Sequence, residues 1–233
     1  MTRLAASRRP PAVLGVLCSG KGSNLQAILS ATRGGRLRPL ARVGVVISDR
    51  ADAFALTRAR RAGIPAICVN PDDFADRAAW ERVLIRILRT HHVSLVCLAG
   101  FMRLLTPVFV RAFPQRILNI HPALLPAFPG AHAVRDALTW GAKVTGVTVH
   151  LVDAQADHGP ILLQEALAIR PGESEVRLHQ RLHRVEHRLY PRAIRLVLDG
   201  RVSVVGRRTV VREVSGRARG GSWAAAGCGP SAD

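Results

Sequence analysis

Lysine is nearly missing from this 233-residue chain. Lys21 and Lys143 are the only two, although Lys and Arg together number 34 against 16 Asp and Glu. The formal charge of +18 is therefore an arginine charge. Aromatics are scarce as well, at 4% of residues with a single tyrosine. Nucleic-acid surfaces gather basic groups into a patch and often interleave them with stacking aromatics. Here the arginines are spread over predicted helices and both ends, so the excess reads as compositional rather than as a nucleic-acid surface. It would still draw in an anionic small substrate. The four cysteines, Cys18, Cys68, Cys97 and Cys228, show no metal-ligand spacing. Three fall in predicted strands, so buried free thiols in a reducing compartment are expected, and no metal site. No apolar run is long enough to span a bilayer. The basic start, Met1 to Pro11, leads to a short apolar run that ends in a glycine loop rather than a cleavage site. A signal peptide is therefore excluded and a cytoplasmic location expected.

What is present is a chain that is 48% hydrophobic and large enough for one good core. Apolar runs at 12–18, 40–48, 64–69, 93–99 and 116–121 read as buried strands. Helical patterns separate them at 51–62, 76–91 and after Thr106-Pro107, where proline sits in the first helical turn. In the helix at 76–91, Ala79, Val83, Ile87 and Leu88 are expected to face inward. Further on, a helix is expected around 132–140 and strands at 145–152 and 161–167. A long helix covers 174–198, with Leu178, Leu182, Val185 and Leu189 inward and a kink at Pro191. Alternating strands and helices imply an α/β fold: a doubly wound, mostly parallel twisted sheet with helices on both faces. The organisation expected is a loose tail over 1–11, one domain over 12–206, and a poorly ordered basic tail over 207–233.

Two stretches carry chemistry. After the first strand comes Ser19-Gly20-Lys21-Gly22-Ser23-Asn24, then a helix from Leu25. Strand, glycine turn and helix N-terminus form an anion site. Leu25 stands where a dinucleotide fingerprint needs glycine, and P-loop spacing is absent, so a single phosphate fits better than a pyrophosphate. Ser23 and Asn24 would add side-chain donors. The second stretch is Leu118-Asn119-Ile120-His121-Pro122. Pro122 has no N–H to give a sheet, so the strand should stop at His121. Asn119 and His121 then point the same way, at a carboxyl strand end where open α/β sheets bind ligands. Amide donors and a titratable imidazole suit oxyanion stabilisation and proton transfer at one carbonyl carbon. Asp157 alone reads as a turn residue before Gly159-Pro160. Brought beside His121 it would favour the imidazolium, but the sequence alone does not bring it there.

Four ordered motifs, 19–28, Ala99-Gly100-Phe101-Met102-Arg103-Leu104-Leu105, 119–126 and Asp157-His158-Gly159-Pro160-Ile161, resemble the phosphoribosylglycinamide formyltransferases of purine synthesis from about Val13 to Gly200. The resemblance implies a formyltransferase-type Rossmann-like fold and transfer of the formyl group of 10-formyltetrahydrofolate to the amine of a phosphoribosyl glycinamide. It implies Asn119, His121 and Asp157 as catalytic residues and Gly22, Ser23 and Asn24 on the substrate phosphate. Glu186 would contact the glycinamide portion. Arg77, Met102, Arg103, Leu104, Leu105 and Asn119 would border the folate. The partners implied are small molecules rather than a membrane or nucleic acid, for a monomer or homodimer. Ala123 stands where the family commonly has serine, and His158 where it usually has glycine. His179, His183 and His187 share helical spacing and read as a polar stripe facing solvent or substrate rather than a metal site. Formyltetrahydrofolate deformylase and other folate-dependent amine formyltransferases share the core. The first usually carries an extra N-terminal domain, for which residues 1–18 leave no room. A basic nucleic-acid-binding module is the rival of a different class.

Overall fold

The structure, a computed structural model, describes residues 10–212. The chain runs β1 (Ala12–Leu17), α1 (Ser23–Arg33), β2 (Ala41–Ser48), α2 (Phe54–Arg61), β3 (Ala66–Cys68), α3 (Arg77–Thr90), β4 (Leu95–Leu98) and α4 (Pro107–Ala112). It continues through β5 (Ile117–His121), α5 (Ala133–Thr139), β6 (Val144–Leu151), β7 (Ile161–Ala168), α6 (Glu175–Leu198), β8 (Val202–Val205) and β9 (Arg208–Val211). The strands form a nine-stranded sheet in the order β3-β2-β1-β4-β5-β6-β7-β9-β8. The pairs from β3 to β5 are parallel, as the alternation of strands and helices predicts. Direction then reverses: β5–β6 and β6–β7 are antiparallel.

Helices cover both faces. On one, Leu25, Ile28 and Leu29 of α1 share a core with Leu178, Leu182, Val185 and Leu189 of α6. On the other, Trp80, Leu84 and Leu88 of α3 pack with Phe109 and Phe113 around α4. Each such large apolar side chain contributes roughly 1.5–3 kcal/mol on full burial. Tyr190 ties α6 to the centre of the sheet, its hydroxyl lying 2.9 Å from the carbonyl oxygens of Leu98 and Leu118.

The expected inner face of α3 needs correction. The buried residues are Trp80, Glu81, Leu84, Ile85 and Leu88, while Ala79, Val83 and Ile87 are half-buried. Trp80 sets the rotation, because its indole is buried and donates to Val69 O at 2.9 Å. Glu81 follows it inward because Thr106 supplies a backbone N–H at 2.8 Å and its hydroxyl. A buried charge is tolerated only with such partners. Pro191 sits inside α6, and the helix continues to Leu198. Cys18 and Cys97 are buried thiols, each pushed up to about 12 by burial. Cys68 is exposed, contrary to expectation, because β3 is short and at the sheet edge. Cys228 lies outside the described residues.

The sheet also extends beyond the sequence reading. Past Gly200 a hairpin forms, with Val202–Val205 antiparallel to Arg208–Val211, and it joins the sheet where Ile161 pairs with Arg208. Residues 208–211 therefore belong to a strand, and the boundary expected at 206 falls in the hairpin turn. The expectations for the tails at 1–9 and 213–233 lie outside the described residues.

Candidate active site

β5 places the central pair. It is parallel to β4 on one side and antiparallel to β6 on the other, with Asn119 opposite His150 and His121 opposite Thr148. The shared face of Asn119 and His121 is thereby extended by a second imidazole. Nδ1 of His150 lies 2.8 Å from Leu151 O. A carbonyl only accepts, so Nδ1 carries the proton and Nε2 is left as an acceptor. Asn119 Nδ2 donates to that Nε2 at 3.1 Å and to Asp157 Oδ1 at 3.3 Å. His150 therefore sets which way the Asn119 amide points.

His121 is 5% exposed, and its Nε2 donates to Phe128 O at 2.8 Å. Its Nδ1 faces Asp157 Oδ2 at 3.5 Å. Asp157 Oδ2 also accepts from Gly130 N at 2.8 Å. Asp157 adopts φ 51°, a left-handed conformation that short polar side chains tolerate better than others. Burial alone would raise its carboxyl group. His121 and the Gly130 N–H oppose burial, a proton on His150 Nε2 would add to them, and the carboxyl is held below the ordinary carboxylate range. Asp157, distant in the chain, thus converges with the β5 pair Asn119 and His121 on one point.

That point lies in the wall of a cleft of about 470 Å³, which Met102, Arg103, Leu104, Leu105, Asn119, His121 and Asp157 all line. Met102 and Leu104 are exposed at 68% and 61% and give the cleft an apolar rim. Arg77 does not line the cleft. It braces the rim from behind, donating to Leu104 O and lying 3.8 Å from Glu81. Arg103 reaches away to Asp49, Nε to Oδ2 at 2.9 Å.

The glycine turn is tied to the same rim, since Ser19 N donates to Gly100 O at 3.0 Å and Met102 N to Ser19 Oγ at 3.0 Å. Helix α1 starts at Ser23, two residues earlier than predicted, with Gly22 as its N-cap at φ 69°. A Cβ on Gly22 would lie 2.8 Å from Ala55 Cβ, so glycine is required there twice over. The first intrahelical bond is Gln26 N to Gly22 O. The N–H groups of Ser23, Asn24 and Leu25 are then the open donors of a helix start.

The Asn24 side chain is directed elsewhere. It is buried, and its Nδ2 donates to Glu186 Oε2 at 2.9 Å. Its contribution to an anion site is a backbone N–H rather than the side-chain donor expected. Glu186 also takes a 2.7 Å bond from His183 Nδ1. Burial would raise this carboxyl, but His183 and Asn24 together hold it low. The bond to Glu186 raises His183, working against burial. His179, His183 and His187 do form a ladder, with ring centroids 4.4 and 5.9 Å apart. His179 lines the cleft, so the stripe connects the cleft to the Asn24–Glu186 pair.

Sequence reasoning missed His150 and His183 as site residues. His150 could have been found only through the β5–β6 register. His183 had a signal, its i,i+3 spacing from Glu186.

The chain matches the formyl transferase family over residues 13–194, which spans the glycine turn, Asn119, His121, Asp157 and Glu186. It is 45% identical to the phosphoribosylglycinamide formyltransferase of Mycobacterium tuberculosis, over 88% of this chain and 94% of the relative. It is also 45% identical to the trifunctional purine biosynthetic protein adenosine-3 of Drosophila pseudoobscura pseudoobscura, over 82% of this chain but only 14% of that protein. The chain spans about a seventh of the length of that relative. Among solved structures, glycinamide ribonucleotide transformylase 1 from Symbiobacterium toebii superposes with a TM-score of 0.86 at 48% identity, covering 89% of this chain and 100% of the other. With the motifs in order, the fold shared and most of its length matched, the chain belongs to the formyl transferase family.

Proposed function

We propose that this protein transfers the formyl group of 10-formyltetrahydrofolate to the amine of N1-(5-phospho-D-ribosyl)glycinamide, giving the N-formyl product and tetrahydrofolate. The observation that carries this reading is the meeting of Asn119, His121 and Asp157 on the wall of a cleft whose rim, at Gly100 and Met102, is bonded to Ser19 of the glycine turn. The relatives' names point to the same reaction.

The roles follow from donors and acceptors. Gly22, Ser23 and Asn24 would bind the substrate phosphate through the open N–H groups at the start of α1. Glu186, held ionised by His183 and Asn24, would accept from the N–H and hydroxyl groups of the ribosyl amide. Met102, Leu104 and Leu105 would lie against the pterin, with Arg103 bordering the same site and Arg77 bracing the rim.

The substrate amine attacks the formyl carbon on N10. The C–N bond forms as the carbonyl π pair moves onto oxygen. Asn119 Nδ2 receives that oxyanion, together with the Nδ1–H of a protonated His121, whose 3.5 Å contact with Asp157 is long enough to be shared. The amide's 3.3 Å contact with Asp157 is the longer of its two, and is the one a substrate oxygen displaces. Asp157 balances the imidazolium and accepts a proton from the attacking amine, directly or through a water. Collapse breaks the C–N10 bond as the proton taken by Asp157 passes to N10. Much of the acceleration comes from holding amine and formyl carbon in register.

The test is an absorbance assay for tetrahydrofolate formation with the ribosyl amide present and absent. Product that depends on the amine is expected. Folate product formed equally without amine would assign a deformylase, and tight, steeply salt-dependent nucleic-acid binding without transfer would assign the binding module.

A further inference from the structure

The loop at 153–160 carries Asp157, and its tip is exposed. One leg is pinned by close approach, because a Cβ on Gly159 would lie 1.8 Å from Leu151 O. Further contacts come from an element that the reaction described above does not use, the hairpin β8–β9. Arg207, at the hairpin turn, donates from Nη2 to the backbone oxygen of His158 at 2.7 Å. Its other terminal nitrogen meets the His158 ring. Nδ1 of that ring is 2.8 Å from Asp153 Oδ2, so Nδ1 is the donor and Nε2 is left to accept from Arg207. Asp153 Oδ1 accepts from Gln155 N at 2.9 Å, which closes the start of the loop. Two residues further along the hairpin, Thr209 Oγ1 donates to Ile161 O at 2.6 Å, where β9 pairs with β7.

We infer that Arg207 and His158 form a clamp through which the C-terminal hairpin positions Asp157 for catalysis. The inference rests on the function proposed above. Arg207 is a positioning residue, because it holds the backbone of the residue next to Asp157 and touches no reacting atom. The contact is to main chain on the loop side, so a shift of the guanidinium moves the peptide that carries Asp157. Asp157 meets its side-chain partners Asn119, His121 and His150 at 3.3–3.7 Å, distances that leave little tolerance before the contacts are lost. The clamp also explains why the sheet continues past the long helix: β8 and β9 carry Arg207 and Thr209 to the loop.

Two readouts on the full chain decide the matter, with Arg207→Gln, Arg207→Lys and His158→Ala. The first is amide hydrogen exchange of the 153–160 peptide, which is independent of activity. Arg207→Gln is expected to speed exchange there about tenfold, while exchange in α6 and β1 stays at the wild-type rate. The second is steady-state kinetics with both substrates. A displaced Asp157 should lower kcat about 10- to 100-fold, with KM for the phosphoribosyl amide within twofold of wild type. Arg207→Lys should recover part of kcat, and His158→Ala should fall between wild type and Arg207→Gln. A merely structural role would not separate kcat from that KM. Loop exchange within twofold of wild type in both Arg207→Gln and His158→Ala overturns the clamp. So does faster exchange with kcat unchanged. If wild-type protein transfers no formyl group, the proposed function fails, and the exchange data still decide whether the hairpin holds the loop.

Discussion

Asn119 has two amide protons and three claims on them: His150 Nε2, Asp157 Oδ1 and the oxygen of a bound formyl group. His150 fixes one proton, because its own Nδ1–H is committed to Leu151 O. The other points toward Asp157 and the cleft, where charge would develop. Losing one preorganised oxyanion donor costs about 2.7–4 kcal/mol of barrier. Asn119→Ala and His121→Ala should each therefore lower kcat at least about 100-fold while leaving the circular dichroism spectrum unchanged. Near-normal turnover in either variant would remove that residue from the chemistry.

Half-buried His183 and buried Glu186 make a separate prediction. Glu186 is held below its ordinary value, so its contribution to stability is present above the ordinary carboxylate range and lost in acid. His183 is raised, so its contribution is complete below the unfolded value near ~6.5 and fades as pH rises through the folded value. Thermal melting of wild type and His183→Gln should therefore differ most in mildly acidic buffer, with the gap narrowing toward alkaline pH. A gap that stays constant would mean that His183 contributes by packing alone.

At the scale of elements, the turn between β1 and α1 is the most tightly specified. Gly22 needs both a left-handed backbone and room against Ala55. Gly22→Ala should cost about 1–3 kcal/mol from strain and overpacking, measured by denaturant melts. It should also raise KM for the ribosyl phosphate more than for the folate. Equal effects on both would mean that the turn does not hold the phosphate.

The strands of the sheet and most helices were legible because buried strands read as apolar runs and helices as a 3.6-residue repeat. Asn119 and His121 were legible for a related reason, since alternation and Pro122 fix their direction and the strand end. What escaped had non-local causes. The face of α3 is set by where Trp80 finds an acceptor, at Val69 O, which its own periodicity does not encode. His150 gains its role from a partner 31 residues away in the chain. The hairpin β8–β9 is short and half-exposed, with weak alternation, and it joins the sheet through a single parallel pair at Ile161 and Arg208. Asp157 was found by its motif and not by its chemistry, because nothing local shows that the loop folds back across β5.

For the whole molecule, the sheet reversal at β5 is the decisive feature. Parallel strands up to β5 bring the glycine turn and the Asn119–His121 pair to one end of the sheet. Antiparallel β6 then sets His150 beside them and sends the following loop, with Asp157, back over the same point. The formal charge of +18 would favour the approach of an anionic small substrate. The central claim is that the converged amide, imidazole and carboxylate pass a formyl carbon from N10 of the folate to an amine. The most direct measurement is a single turnover with the donor carrying 13C at the formyl carbon and the phosphoribosyl glycinamide in excess, followed by mass spectrometry. The account predicts that the label appears on the amine as one formyl group per folate consumed. Label recovered as free formate, or left on the folate, would contradict it.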